Sequence, residues 1–457
     1  MADPSTPKQP LNIVYLHSHD TGRYISPYGH AVDTPHLQRF AESGVLFRNA
    51  FCASPTCSPS RACLLTGQYA HTNGMTALAH RGGRLHEPRH TLPNHLKTHG
   101  YQTVLAGFEH IRSADPPQTM CELGYTHDLC PRQSGTGVSP IAKDKARVEA
   151  ACGFLDRRSQ DDPPFFLDVG FFATHRLPPE DAPGPRIAWH NHGALTGDPR
   201  YVSLPPTLPD TPASRRDFAD YAHAVRRLDR CYGRLLDTLE RQGLSDRTLV
   251  IITTDHGIAF PGMKCSLTAH GTGVLLMMRG PGLGEAGGGM NRRSGRVLNG
   301  LVSQIDVFPT LCDLVHLPKP DHLQGLSLQP VLHGTDDDAS VREAVFAEVN
   351  THIDHQPMRS VRTSRYSYIR RFEEKPHVWP RNIDDSVSKV QLDEVGLLEH
   401  ALPREELFDL YRDPTEACNR AEDPEYAQPL AELRERLDQW MADTHDPMAS
   451  GWIARTG

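Results

Sequence analysis

Short, unbroken apolar runs that stop abruptly in polar, chemically capable residues constrain this chain more than any other feature. Asn12-Ile-Val-Tyr-Leu16 runs into His17-Ser-His-Asp20, and Thr103-Val-Leu-Ala106 runs into Gly107 with His110 close behind. Phe165-Phe-Leu-Asp-Val-Gly-Phe-Phe172 runs into Ala173-Thr-His175, and Leu249-Val-Ile-Ile-Thr-Thr254 runs into Asp255-His-Gly257. A run without alternation has no solvent face, so it reads as a strand covered on both sides, the pattern of a parallel sheet. The clearest helix is predicted over Phe218 to Gln242. There Phe218, Tyr221, Ala222, Val225, Leu228, Tyr232, Leu235, Leu236 and Leu239 recur at three- and four-residue steps before Gly243. The expected class is therefore α/β, with a large, mostly parallel central sheet flanked by helices. Ligands of such sheets sit beyond the carboxyl ends of the strands, where His19, Asp20, His110, His175, Asp255 and His256 all fall.

After Gly334-Thr-Asp-Asp-Asp338 the texture changes. Val345 to Val349, Arg359 to Val361 and Tyr366 to Arg370 read as short antiparallel strands, and Tyr426 to Met441 as a terminal helix. A boundary near residue 338 then divides a catalytic domain, 1–338, from a smaller α+β domain, 339–457. Pro178 to Arg215 is rich in Pro, Gly and His without periodicity, which suits a lid or binding loop. The chain has 457 residues and a net charge of −8, with no long basic run, which argues against nucleic acid or an anionic membrane surface as partner. Its aliphatic runs fall far short of a membrane span of ~20 residues. The ten cysteines are scattered without a CxxC pair, so neither zinc nor a disulfide framework is expected. Without a signal peptide in MADPSTPKQP, the expected location is cytoplasmic.

The most informative stretch is Cys57-Ser-Pro-Ser-Arg-Ala-Cys-Leu-Leu-Thr-Gly67. Ser58 suits an N-cap, Pro59 the first helical position and Gly67 the close. Cys57 would then precede a helix N-terminus, where free N–H groups favour an anion, with Arg61 one turn on and able to reach back. From local geometry alone, an ordinary loop cysteine before a capped helix serves equally well.

Cys-x-Pro-x-Arg followed by Leu-Leu-Thr-Gly resembles the hallmark of the formylglycine-dependent sulfatases of the alkaline phosphatase superfamily. The likeness extends along the chain. Asn12 to Gly22 and Thr248 to Gly257 resemble the two metal-binding strands, and Leu208-Pro-Asp-Thr-Pro212 resembles the segment before the long helix. Pro357-Met-Arg-Ser360, Glu406-Leu-Phe-Asp-Leu410 and Thr444-His-Asp-Pro447 are similar to the carboxyl part of heparan N-sulfatases. The resemblance implies the sulfatase fold. It also implies a maturation enzyme that oxidises Cys57 to formylglycine (3-oxoalanine), hydrated to a diol. One hydroxyl attacks the sulfate sulfur, and loss of the other's proton ejects sulfate, a double displacement.

The resemblance further implies one divalent cation held by His19, Asp20, Cys57, Asp255 and His256. Family members usually carry aspartate where His19 stands, and His256 replaces the commoner asparagine. Ca²⁺ prefers hard oxygen ligands, whereas two imidazoles shift preference toward Mn²⁺ or Zn²⁺. His110 matches the histidine of a Lys-x-His element whose lysine is here Phe108. His175, followed by Arg176, matches the histidine that contacts sulfate and the leaving group, the best general acid. Lys264, nine residues after Asp255, matches a cation on a sulfate oxygen. Arg176 and His352, in Glu348-Val-Asn-Thr-His352, stand as substrate-binding residues. The expected substrate is a small sulfated molecule such as an N- or O-sulfated glucosamine. A phosphonate monoester or phosphodiester hydrolase is the rival reading, since relatives of that kind share Asp-His at the second metal pair. A non-catalytic anion binder is the remote one, and oligomeric state is left open.

Overall fold

The computed structural model describes residues 10–130, 140–159, 161–176, 189, 198–281, 283, 295–373 and 376–450. A large sheet is made of β1 (Asn12–Ser18), β2 (Val45–Phe51), β3 (Gln102–Gly107), β4 (His127–Asp128), β5 (Phe165–Gly170), β6 (Thr248–Thr254), β7 (Leu276–Arg279) and β8 (Arg296–Ser303). Their order is β4-β3-β5-β1-β6-β7-β2-β8, and all neighbours pair parallel except at β7. The apolar runs are thus the four contiguous central strands β3-β5-β1-β6. Alternate residues feed two cores. Val14, Leu16, Val250 and Ile252 pack on the helices Pro140–Asp156 and Pro212–Arg241, whereas Ile13, Tyr15, Leu249 and Ile251 pack with Leu64, Leu65 and Phe308 on the other face. With both faces covered, these strands need no polar alternation.

The long helix begins at Pro212, six residues earlier than the apolar repeat predicts, and ends at Arg241. Thr211 caps it, its hydroxyl accepting from Ser214 N–H, and Pro212 occupies the first turn. The non-periodic stretch therefore stops at Thr211 and not at Arg215. Most of the expected lid, 177–188 and 190–197, lies outside the described residues.

A second sheet holds β9 (Val345–Thr351), β10 (His355–Arg362), β11 (Tyr366–Arg371) and β12 (Glu405–Asp409), ordered β12-β11-β10-β9 and antiparallel throughout. The helix Ala427–Asp443 packs on it. The core beneath this sheet takes residues from both sides of position 338: Ala53, Cys63, Tyr69 and Ile305 meet Val361, Tyr368, Leu433 and Trp440. β9 is also stitched to the segment before Cys57, with Glu348 N–H donating to the Ala53 carbonyl at 2.9 Å. A buried network locks the join. Glu348 accepts from His71 Nδ1 at 2.9 Å and faces Arg359 at 3.5 Å, and Arg359 pairs with Asp446 at 2.9 Å. All ten cysteines are free thiols, and no described helix is long and apolar enough to cross a membrane.

Candidate active site and metal centre

β1 and β6 run side by side in register, His17 opposite Thr253 and Ser18 opposite Thr254. The residues that follow, His19-Asp20 and Asp255-His256, therefore leave the sheet as neighbours. The helix Cys57–Thr66 brings Cys57 to the same point. It starts two residues earlier than Ser58 as N-cap would require, so Cys57 is its first residue. Thr56 is the cap residue, no side chain caps the turn, and Ser58 Oγ instead accepts from Ala79 N–H at 3.0 Å. Gly67 closes the helix at φ 64°, a left-handed conformation that costs other residues strain.

One ligand atom from each of His19, Asp20, Cys57, Asp255 and His256 lies within 4.8 Å of the others, and all five residues are buried. Asp255 Oδ1 accepts from the N–H groups of Asp20 at 2.8 Å and His256 at 2.9 Å, with Asp20 held at φ 55°. His256 Nδ1 donates to the Gly257 carbonyl at 2.9 Å, so a neutral ring keeps its lone pair on Nε2. That nitrogen faces Asp20 Oδ1 at 3.3 Å and Cys57 Sγ at 3.5 Å. His19 Nδ1 lies 2.7 Å from Asp20 Oδ1 and 3.2 Å from Asp255 Oδ2. Two carboxylates facing imidazole nitrogens form a donor set that a divalent cation relieves and links, so the residues present fit a metal ion.

Burial alone would raise both carboxyl groups. Lys264, His175 and His256 overcome this at Asp20, and His256, His19 and Arg61 do so at Asp255, holding both well below the usual carboxylate range. Burial pushes the Cys57 thiol well above its ordinary value despite Lys264. Cys57 is therefore poorly suited to act as a thiolate.

Arg61 does not bond Cys57. Its guanidinium donates to Asp255 Oδ2 at 2.9 Å, to the Ser18 carbonyl at 3.0 Å and to His17 Nδ1. His17 Nε2 in turn donates to Asp168 at 2.8 Å, and the Tyr125 hydroxyl donates to the same carboxylate. Gly170 permits this floor, since a Cβ there would lie 2.0 Å from the Phe108 carbonyl oxygen and 2.7 Å from His17. Arg61, His17 and Asp168 thus support Asp255 from below.

Lys264 Nζ stands between Asp20 Oδ2 at 3.1 Å and Asp384 Oδ2 at 3.0 Å. His175 lies over the cluster, Nε2 4.0 Å from Asp20 Oδ2, while its Nδ1 donates to the Arg176 carbonyl. Its loop is held by Thr174 N–H donating to the His19 carbonyl at 2.7 Å. His110 is brought near, its ring 6.0 Å from that of His19, in a left-handed backbone at φ 56°. One of its nitrogens lies 3.4 Å from His80, and the other is buried without a partner. Phe108 fills the space beside His19 and Arg61 with a ring and not a cation. His352 is buried, its Nδ1 unpartnered, and burial with Lys264 nearby drops its imidazole to about 3, so it is neutral.

Arg176 departs from its expected role as a substrate-binding residue. It is 2% exposed, its fork grips both oxygens of Asp217 at 2.9 Å, and it stacks on Trp189 at 3.9 Å. It braces the His175 loop from behind. The sequence reading missed Asp384, His80 and the His17–Asp168 pair. His17 carried a signal, as it lies on β1 just before His19. Asp384 sits in a loop with no motif or periodicity to single it out.

A family model described as Sulfatase matches residues 11–317, and a second, N-sulphoglucosamine sulphohydrolase, C-terminal, matches residues 288–385. The chain belongs to the sulfatase family. It is 32% identical to human N-sulphoglucosamine sulphohydrolase, covering 96% of this chain and 91% of that protein. It is 26% identical to an ulvan-active sulfatase of Formosa agariphila, covering 96% and 76%. Among solved structures, the phosphonate monoester hydrolase of Agrobacterium radiobacter shares the fold, with a TM-score of 0.67, 21% identity and coverage of 95% and 96%.

Proposed function

We propose that this sulfatase hydrolyses an N- or O-sulfated glucosamine or a related saccharide, with the sulfamate as first choice. The convergence of Cys57 with His19, Asp20, Asp255 and His256 within 4.8 Å carries the chemistry. The full-length likeness to N-sulphoglucosamine sulphohydrolase supports the substrate class. Formylglycine made from Cys57 by a maturation enzyme would supply a diol nucleophile in place of the un-ionised thiol. A divalent ion held by the two carboxylates and His256 Nε2, with His19 Nδ1 in reach, would neutralise sulfate oxygens. The two histidines favour Mn²⁺ or Zn²⁺ over Ca²⁺.

The chain's own residues do the rest. Lys264 is positioned to hold a sulfate oxygen, its charge kept by Asp20 and Asp384. Arg61 keeps Asp255 ionised. His175, its Nδ1 committed to a carbonyl, can deliver a proton from Nε2 to the departing nitrogen or oxygen when protonated. His110, its ring 6.0 Å from that of His19, is held neutral by burial and offers its unpartnered ring nitrogen as a polar contact to the reacting group.

Mass spectrometry of the Cys57 peptide after co-expression with a maturation enzyme should show the aldehyde. The converted protein should release sulfate from glucosamine N-sulfate, and Cys57→Ala should abolish this. Substantial turnover by Cys57→Ala would overturn the mechanism. His256 in the cluster favours the phosphonate monoester or phosphodiester reading. Faster hydrolysis of phosphate or phosphonate esters than of the sulfate ester of the same leaving group would establish that reading instead.

A further inference from the structure

Exposure grades the site from floor to rim. Asp20 and Lys264 side chains are 0% and 3% exposed, whereas those of His175 and Asp384 are 24% and 17% exposed. A substrate whose sulfate lies against Cys57 and Lys264 must therefore leave the site past His175 and Asp384. Asp384 comes from the loop before the helix Val387–Glu394, and its Oδ2 lies 3.0 Å from Lys264 Nζ. Beyond that ion pair, no described residue donates a hydrogen bond to Asp384 Oδ2. His352, from the end of the small sheet, is 5% exposed and brings a second buried polar atom, Nδ1, without a partner. Buried polar atoms are nearly always satisfied in a working complex, so the unmet His352 nitrogen, beside an Asp384 carboxylate at the rim whose Oδ2 has Lys264 as its one close partner, marks a place that a ligand completes.

Building on the sulfatase reading above, we infer that Asp384 and His352 form a subsite that accepts a free sugar hydroxyl adjacent to the scissile group and rejects a second sulfate there. An anionic carboxylate can only accept, so it takes an O–H donor and repels another anion. Lys264 is already shared between Asp20 and Asp384, so it leaves little positive charge for a second sulfate. Specificity then follows from the polar edge of Asp384 and the buried His352 nitrogen being left without a partner when the sugar hydroxyl is missing.

The test compares glucosamine N-sulfate, the same sugar with a second sulfate at O3 or at O6, and nitrophenyl sulfate, which offers no hydroxyl. In Asp384→Asn, kcat/KM for glucosamine N-sulfate should fall about tenfold to hundredfold relative to that for nitrophenyl sulfate. The penalty for a second sulfate, at whichever oxygen the wild type penalises, should shrink as well. His352→Gln leaves the Lys264 ion pairs in place and should lower the same ratio. Turnover of nitrophenyl sulfate reports that each variant is folded. Equal losses on the sugar and the aryl ester would overturn the inference and leave Asp384 as a residue that only positions Lys264. An undiminished ratio, or an unchanged penalty for the second sulfate, would overturn it too. Wild-type protein that cleaves neither sulfate would instead refute the functional reading on which the inference rests.

Discussion

Arg61→Met separates a structural counter-charge from a group that acts on the nucleophile. The guanidinium is 3% exposed and binds Asp255 Oδ2, the Ser18 carbonyl and His17 at once. In the variant, fully buried Asp255 loses its one permanent cation and keeps the imidazoles of His19 at 3.2 Å and His256 at 3.7 Å, the former held neutral by burial. Removing one partner of a buried ion pair typically costs ~3–5 kcal/mol, a large share of a total stability of ~5–15 kcal/mol. Arg61→Lys keeps the charge but not the fork. It should recover one charge-assisted hydrogen bond, ~1.5–3 kcal/mol, and fall between the wild type and the methionine variant. Urea unfolding at neutral pH, in chelator and then with excess Mn²⁺, reads all three proteins. The ion should narrow the gap, because it takes over the neutralisation of Asp255 that Arg61 performs without it. A methionine variant within ~1 kcal/mol of wild type in chelator, or a gap that Mn²⁺ leaves unchanged, would refute this assignment.

Three further outcomes are expected. Chelated enzyme should regain more activity with Mn²⁺ or Zn²⁺ than with Ca²⁺, and His19→Ala should erase that preference; full recovery with Ca²⁺ in both proteins would exclude His19 as a ligand. His175→Ala should lose ~10²–10⁴ in rate on alkyl or sugar sulfates and much less on an activated aryl sulfate, which departs without a proton; equal losses would leave His175 as a sulfate-binding residue only. Burial alone would raise Glu348, but His71 and Arg359 hold it at about 2 against an ordinary 4.5. Its contribution, about 3 kcal/mol, is present above an ordinary carboxyl pKa and is lost as pH falls toward about 2. Glu348→Gln should therefore melt lower than wild type at pH 7, by less than half that gap at pH 3 and nearly with it at pH 2, and parallel curves would contradict the assignment.

The parts of this protein legible in the sequence are those where one residue's role is decided by its neighbours along the chain. The central strands announce themselves because a strand buried on both faces cannot alternate, and His19, Asp20, Asp255 and His256 because they end such strands. The start of the long helix at Pro212 carried a readable signal in Thr211-Pro212, but Ala213 to Asp217 lacks the apolar repeat that dominated the reading. Arg176 was misassigned because adjacency to His175 says nothing of direction. A side chain one residue along points elsewhere, here to Asp217 across the long helix. Asp384 and His80 were invisible because their partners, Lys264 and His110, are remote in sequence. The C-terminal motifs were legible as a resemblance but not as a mechanism. Glu348, Arg359 and Asp446, noted in three separate stretches, turn out to be members of one buried network with His71.

That network bears on how the site is divided between the two sheets. The floor, with Cys57, Asp20 and Asp255, belongs to the large sheet, whereas Asp384 and His352 follow the small one. Floor and rim must keep register to a fraction of a hydrogen bond if Lys264 is to serve Asp20 and Asp384 together. Glu348 secures this twice: its N–H bonds Ala53, four residues before Cys57, and its carboxylate bonds His71. A buried salt-bridge network adds little net stability over a well-packed apolar one, but its directional bonds fix one docking of the small sheet where a greasy interface would tolerate several. Replacing the members with apolar residues of equal size would thus preserve folding more readily than activity. Loops beyond β9 and β10 can vary in what they present to a sugar while the strand ends beneath keep the same sulfate chemistry.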